Sequence, residues 1–215
     1  MNFRLPYPNV ISSIPDLVMA LAFLVTWIEP TALGDGMMKY FSLIILLEFI
    51  TIHSAGFLGF VIVTGKTKFQ TISRVIALGI FYSVFIFSFT SPTGEFWPLT
   101  AFWLLLFNRI LGVLLGDTSA ANINVEMAAR WGWSLFCFVM SMVISLKIPM
   151  PRFGWEDDVI YRLGPGGAGV WYEQPHTLLA AGFLYFLSVS IFEIYSGSIT
   201  AKLSNIDPNV PLFRK

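Results

Sequence analysis

The sequence predicts an all-α protein, a polytopic membrane helical bundle of about six transmembrane helices with both termini in the cytoplasm. Composition is the first observation: hydrophobic residues make up 56% of the 215 residues and charged residues 12%, whereas soluble domains carry about 25% charged residues. Apolar runs recur along the chain, several near the ~20 residues that cross a hydrocarbon core. Basic residues are also unevenly divided between alternate loops, as membrane topology requires.

Three apolar segments occupy the first part of the chain. The first, residues 14–29, is short, since its strictly apolar part covers only about 18 Å at about 1.5 Å per residue. We expect it to span with Pro15 and Asp16 in its first turn, where a proline and an acidic residue suit a helix start. The second and third segments, residues 39–63 and 71–89, are long enough to cross the membrane.

Three more segments, residues 97–115, 128–146 and 177–197, are the fourth, fifth and sixth predicted spans. With six spans, eight basic residues fall on the side of the termini and four on the other side, which places both termini in the cytoplasm. An outer loop, residues 148–176, joins the last two spans. No stretch is long enough for a separate soluble domain, so residues 1–215 are predicted to form a single integral membrane domain.

Several function classes have little support. Zero net charge gives no indication of nucleic-acid binding. A single cysteine, Cys137, excludes an intrachain disulfide or a CxxC motif, and the phosphate, dinucleotide and zinc-protease motifs are missing. We therefore predict no catalytic residue, no metal site and no cofactor, although a single axial bond from His53 to a haem or chlorophyll-type pigment stays open.

Glu48 and His53 lie inside the second apolar segment. Ionisable groups at that depth cost roughly 2.5 kcal/mol or more each, so they usually serve a function. Because they are five residues apart, their directions on a helix differ by about 140°, and they are expected to face different neighbours. Two interpretations stay open: a site that handles protons or cations, and hydrogen bonds that fix helix packing.

Polar residues also interrupt the fourth and sixth spans. Asn108 and Arg109 lie in the fourth, and Glu193 lies in the cytoplasmic half of the sixth. Arg109 either reaches the interface along its apolar stem or pairs with Glu48 or Glu193, since an intramembrane cation needs a partner. The sequence thus predicts a polar cluster of Glu48, His53, Asn108, Arg109 and Glu193. In the outer loop, whose length indicates a role beyond connection, Trp171, Glu173 and His176 are candidate partner contacts.

Three functions stay open. The sequence favours a small transporter or channel subunit that handles protons or small ions through the polar cluster. The first alternative is a non-catalytic accessory or scaffold subunit of a larger membrane complex. The second is an intramembrane enzyme acting on a lipid-like substrate, which would need Glu48 and His53 to converge. The expected partners are the lipid bilayer and either further copies of the chain or other membrane subunits. The default location is the cell membrane, specifically a bacterial inner membrane.

Overall fold

The computed structural model describes residues 8–91, 94–115, 125–164 and 169–206, and within these residues the regular structure is entirely α-helical. This confirms the predicted fold class. The helices are α1 (Pro8–Ile28), α2 (Met37–Thr64), α3 (Lys68–Thr90), α4 (Trp97–Leu115), α5 (Val125–Lys147), α6 (Asp157–Leu163), α7 (Val170–Glu173) and α8 (Pro175–Ile206).

Four helices in the described part of the chain are long and apolar enough to cross a membrane. They supply the segments Val10–Ile28, Met37–Ile62, Lys68–Thr90 and Pro175–Tyr195, while α4 contains a shorter apolar segment, Trp97–Leu111. At about 1.5 Å per residue, each of the four is about as long as the ~30 Å of a hydrocarbon core or longer. The protein is therefore a multi-pass, membrane-embedded protein, and a count of six spans stays a prediction.

The start of the first helix differs from the prediction. Helix α1 begins at Pro8, so Pro15 lies inside the helix and Asp16 follows it well beyond the first turn. The apolar residues Val10 and Ile11 extend the helix on the N-terminal side, and a proline inside a membrane helix is tolerated when neighbouring groups satisfy the freed backbone. The extension gives α1 the length that its apolar core lacked, and it places the Asp16 carboxyl group within an apolar segment.

The chain divides into two compact units: unit 1 contains Met1–Phe41 and Phe136–Lys215, and unit 2 contains Ser42–Leu135. In unit 1, α1 packs along α8. The Phe23 side chain is fully buried, with its ring centroid 4.4 Å from that of Phe41 and 5.5 Å from that of Phe186. The backbone of Gly182 lies directly against the Phe23 ring, because a glycine lets two membrane helices approach closely.

Part of the predicted outer loop covers the C-terminal end of α1 within unit 1. Trp155 is fully buried and its indole N–H donates to the carbonyl of Thr26 at 3.1 Å. In the same region, the indole of Trp27 donates to the carbonyl of Pro151 at 2.9 Å. The loop also contains the short helices α6 and α7, so it is a folded segment over much of its length. Residues 165–168 of this loop lie outside the described residues.

In unit 2, α3 packs against α4. Its buried core consists of Ile50, Leu58, Val75, Tyr82, Ile86, Phe102 and Leu106. Two polar contacts lie at the end of this unit where α3 begins and α4 ends. The Thr67 side chain caps α3 by accepting from the backbone of Gln70, and Lys68 Nζ donates to the carbonyl of Leu114 at 2.9 Å. A lysine at this position satisfies a carbonyl in the last turn of α4, where a positive charge is stabilising.

Candidate functional site

His53 lies near the middle of α2 and makes a specific polar contact within unit 2. Its Nδ1 is 2.7 Å from the hydroxyl oxygen of Tyr82 on α3. Tyr82 is buried and packs edge-on against Phe102 of α4, with ring centroids 5.8 Å apart. The hydroxyl group is thus held in place by the core, and it fixes the position of the imidazole.

Aromatic rings flank the imidazole of His53. The Phe49 ring is stacked on it at a centroid distance of 5.5 Å and an interplanar angle of 16°, and the Phe57 ring lies 5.2 Å away. These two residues are one helical turn before and after His53, so all three share one face of α2. The His53 side chain is exposed, which means that this face carries a polar ring at its surface inside an apolar segment.

Glu48 is half-buried on the same helix, and the hydrogen bond that the structure gives His53 is made to Tyr82. On α4, Asn108 and Arg109 are both exposed. A pair between Arg109 and either Glu48 or Glu193 stays a prediction.

A second polar contact lies between α1 and α8 in unit 1. Asp16 and Glu193 are both half-buried, and Glu193 is close enough for its charge to act on the Asp16 carboxyl group. One turn from each acid, the buried side chain of Ser190 donates to the carbonyl of the buried Ser13 at 3.4 Å. Two carboxyl groups and two serines therefore form a polar strip within an apolar helix pair.

The three outer-loop candidates are in different environments. Trp171 and Glu173 are exposed on the short helix α7, where a partner can reach them. His176 is 3% exposed at the start of α8 and its Nδ1 has no hydrogen-bond partner in the described structure, so its side chain is not presented at the surface of unit 1. Contact with a partner stays a prediction for all three residues.

Two residues of these sites were missed by sequence reasoning. Asp16 was assigned to the first turn of a helix, where an acidic residue is ordinary. The signal that would have found it is the set of apolar residues before Pro15, which are Val10, Ile11 and Ile14. Tyr82 looked like one of many aromatic residues in the third span. Only the packing of α2 on α3 shows that its hydroxyl group meets His53.

Among the residues that the structure describes, no group of three or more His, Cys, Asp or Glu side chains comes together. These residues therefore offer no candidate for a metal site with several protein ligands. Comparison with protein-family models, with curated proteins and with solved structures gave no match. The features that indicate a function are therefore the His53–Tyr82 contact and the Asp16–Glu193 pair.

Proposed function

We propose that the protein is a small membrane transporter or channel subunit that handles protons or small cations, with the Asp16–Glu193 pair as its binding site. The observation that carries this proposal is the placement of two half-buried carboxyl groups on the packed helices α1 and α8, within segments apolar enough to span a membrane. Carboxylates inside membrane helices usually mark ion or proton pathways, because burying them without a function is costly.

The two carboxyl groups of Asp16 and Glu193 indicate which class of solute the site would bind. Two carboxylates close together repel one another, and either a proton or a cation bound between them removes that repulsion. The oxygen of Ser190 and the carbonyl of Ser13 lie one turn away, and hydroxyl and carbonyl oxygens are further ligands that hard cations accept. A site of this composition favours small cations over anions.

The experiment is a flux assay on purified protein in liposomes. Proton entry is followed with a pH-sensitive dye under an imposed potassium diffusion potential, and sodium entry with a radioactive tracer. Asp16→Asn and Glu193→Gln keep the size of each side chain and remove its charge, so each should reduce flux at least ten-fold. Glu173→Gln, which removes an exposed carboxylate, is the matched control and should transport at the normal rate.

Normal flux in the double variant Asp16→Asn, Glu193→Gln would overturn the proposal. A stoichiometric membrane partner that copurifies with a flux-inactive wild-type chain would instead support the accessory-subunit alternative. The rest of the predicted polar cluster is tested in the same assay by Glu48→Gln and Arg109→Gln. Reduced flux in either would extend the pathway beyond α1 and α8, whereas normal flux in both would restrict it to that helix pair.

A further inference from the structure

We propose that His53 is the axial ligand of a metal tetrapyrrole, such as a haem or a chlorin, that binds against the exposed aromatic face of α2. This face is defined by Phe49, His53 and Phe57. The proposal is independent of the Asp16–Glu193 pair and does not require that the protein transports anything.

The first observation is the exposure of the imidazole. His53 lies near the middle of an apolar segment of α2 and its side chain is exposed, yet hydrocarbon offers no hydrogen-bond partner to a ring nitrogen. The contact with Tyr82 satisfies Nδ1, and the described residues provide no hydrogen bond for Nε2. A ligand that binds Nε2 of His53 at this position must itself be soluble in the membrane.

The second observation is the hydrogen bond at the other ring nitrogen. Histidines that bind metals almost always engage their second ring nitrogen in a hydrogen bond, which fixes the tautomer and the ring orientation. In the tautomer whose Nδ1–H donates to the hydroxyl oxygen of Tyr82, Nε2 keeps its lone pair and can bind a metal. Because Tyr82 is held by the buried core of unit 2, the imidazole is already oriented in the free protein.

The third observation indicates whether His53 would bind a bare metal ion or a metal that is already held in a macrocycle. Within the described residues, His53 belongs to no group of three or more His, Cys, Asp or Glu side chains, so a bare metal ion would lack the three or four protein ligands that it usually takes. A metal tetrapyrrole can be held by one axial protein ligand, because the four nitrogens of the ring already bind the metal. Phe49 and Phe57, which are 39% and 50% exposed, provide apolar aromatic contact on both sides of the imidazole.

The experiment titrates purified protein in nanodiscs with three probes in parallel: haemin, chlorophyll a, and metal-free protoporphyrin IX. A metal probe should bind with a stoichiometry of about one, with an absorption band shifted to the position of a histidine-ligated complex. The metal-free ring should bind at least ten-fold more weakly, since it lacks the axial bond. Whichever metal probe binds more tightly identifies the class of macrocycle.

Variants distinguish axial ligation from non-specific partitioning of the hydrophobic macrocycle into the lipid of the nanodisc. His53→Ala should abolish the band shift, and free imidazole added to this variant should restore it. Tyr82→Phe retains the ring but removes the hydrogen bond, and should weaken binding about 10- to 100-fold, as loss of a supporting hydrogen bond does at metal sites. His176→Ala is the matched control, because that histidine is buried, and it should bind normally.

Two results would overturn the proposal. One is equal binding of the metal and metal-free rings to the wild-type protein. The other is an unchanged band position in His53→Ala, measured on a variant whose far-ultraviolet circular dichroism shows normal helix content. If His53→Ala does not fold, Tyr82→Phe together with the metal-free probe still decides the question, because both leave the imidazole in place.

Discussion

Replacement of Gly182 by alanine should destabilise unit 1 by forcing α1 and α8 apart. A Cβ atom added at position 182 would lie 2.8 Å from Cζ of Phe23, and closer still to two other carbons of the same ring. Real Cβ atoms essentially never approach a neighbour that closely. The Phe23 ring has no free space into which to move, because it is fully buried between Phe41 and Phe186.

The expected magnitude follows from the cost of overpacking, which is about 1–3 kcal/mol for an extra methyl group in a well-packed core. Alanine also has a higher helix propensity than glycine, by about 1 kcal/mol, and this acts in the opposite direction. Gly132 of α5 separates the two effects, because nothing lies within 4 Å of a Cβ atom added there. Relative to Gly132→Ala, the free energy of unfolding of Gly182→Ala should be lower by about 1–3 kcal/mol.

The assay is unfolding by sodium dodecyl sulphate in mixed micelles, followed by far-ultraviolet circular dichroism. The double variant Gly182→Ala, Phe23→Leu provides a second readout, because a smaller side chain at position 23 makes room for the new methyl group. The two substitutions should therefore be non-additive by at least about 0.5 kcal/mol, with the pair less harmful than the sum. Equal stability of Gly182→Ala and Gly132→Ala, within about 0.5 kcal/mol, would refute the described packing of α1 on α8.

Three further predictions concern single contacts. Trp155→Phe removes the indole donor from a fully buried site and should lower the free energy of unfolding by about 1–3 kcal/mol in the same assay. Ser83→Ala removes the acceptor of the Trp103 indole N–H, a contact of 2.8 Å, and should cost about 1–3 kcal/mol; unchanged stability would show that this indole finds another acceptor. The thiol of Cys137 is buried, so in mild detergent a maleimide should react with it only after denaturation by sodium dodecyl sulphate, as detected by mass spectrometry.

The sequence was sufficient to predict the helical fold class because length and hydropathy are properties of each segment by itself. The start of α1 was less predictable, since proline in a soluble helix normally marks the first turn. Inside a membrane the same residue is tolerated, and the apolar residues before it continue the helix. Because α1 begins before Pro15, Asp16 is a carboxyl group inside an apolar helix rather than a residue at the start of a helix.

The contacts of the site could not be predicted in the same way, because they depend on which helix faces pack together. Helix periodicity showed that Glu48 and His53 point in different directions, and the Tyr82 contact agrees with this. It could not show which of the aromatic residues in the third span would meet the imidazole. For Arg109, depth alone gave two candidate partners, Glu48 and Glu193, and a pair with either of them stays a prediction. Within unit 1, the charge of Glu193 acts on the Asp16 carboxyl group.

The two polar sites differ in a way that favours different functions for them. Asp16 and Glu193 are half-buried on α1 and α8, two helices that pack together, so a proton or cation bound by both would be partly enclosed by protein. His53 is oriented by a buried tyrosine but exposed at the surface of its helix, so a ligand would approach it from outside the helix pair. An enclosed acid pair suits a small ion that passes through, whereas an oriented and exposed imidazole suits a large apolar ligand that stays bound. Flux and macrocycle binding should consequently respond to different substitutions, and measuring both properties on the same four variants, Asp16→Asn, Glu193→Gln, His53→Ala and Tyr82→Phe, tests that separation directly.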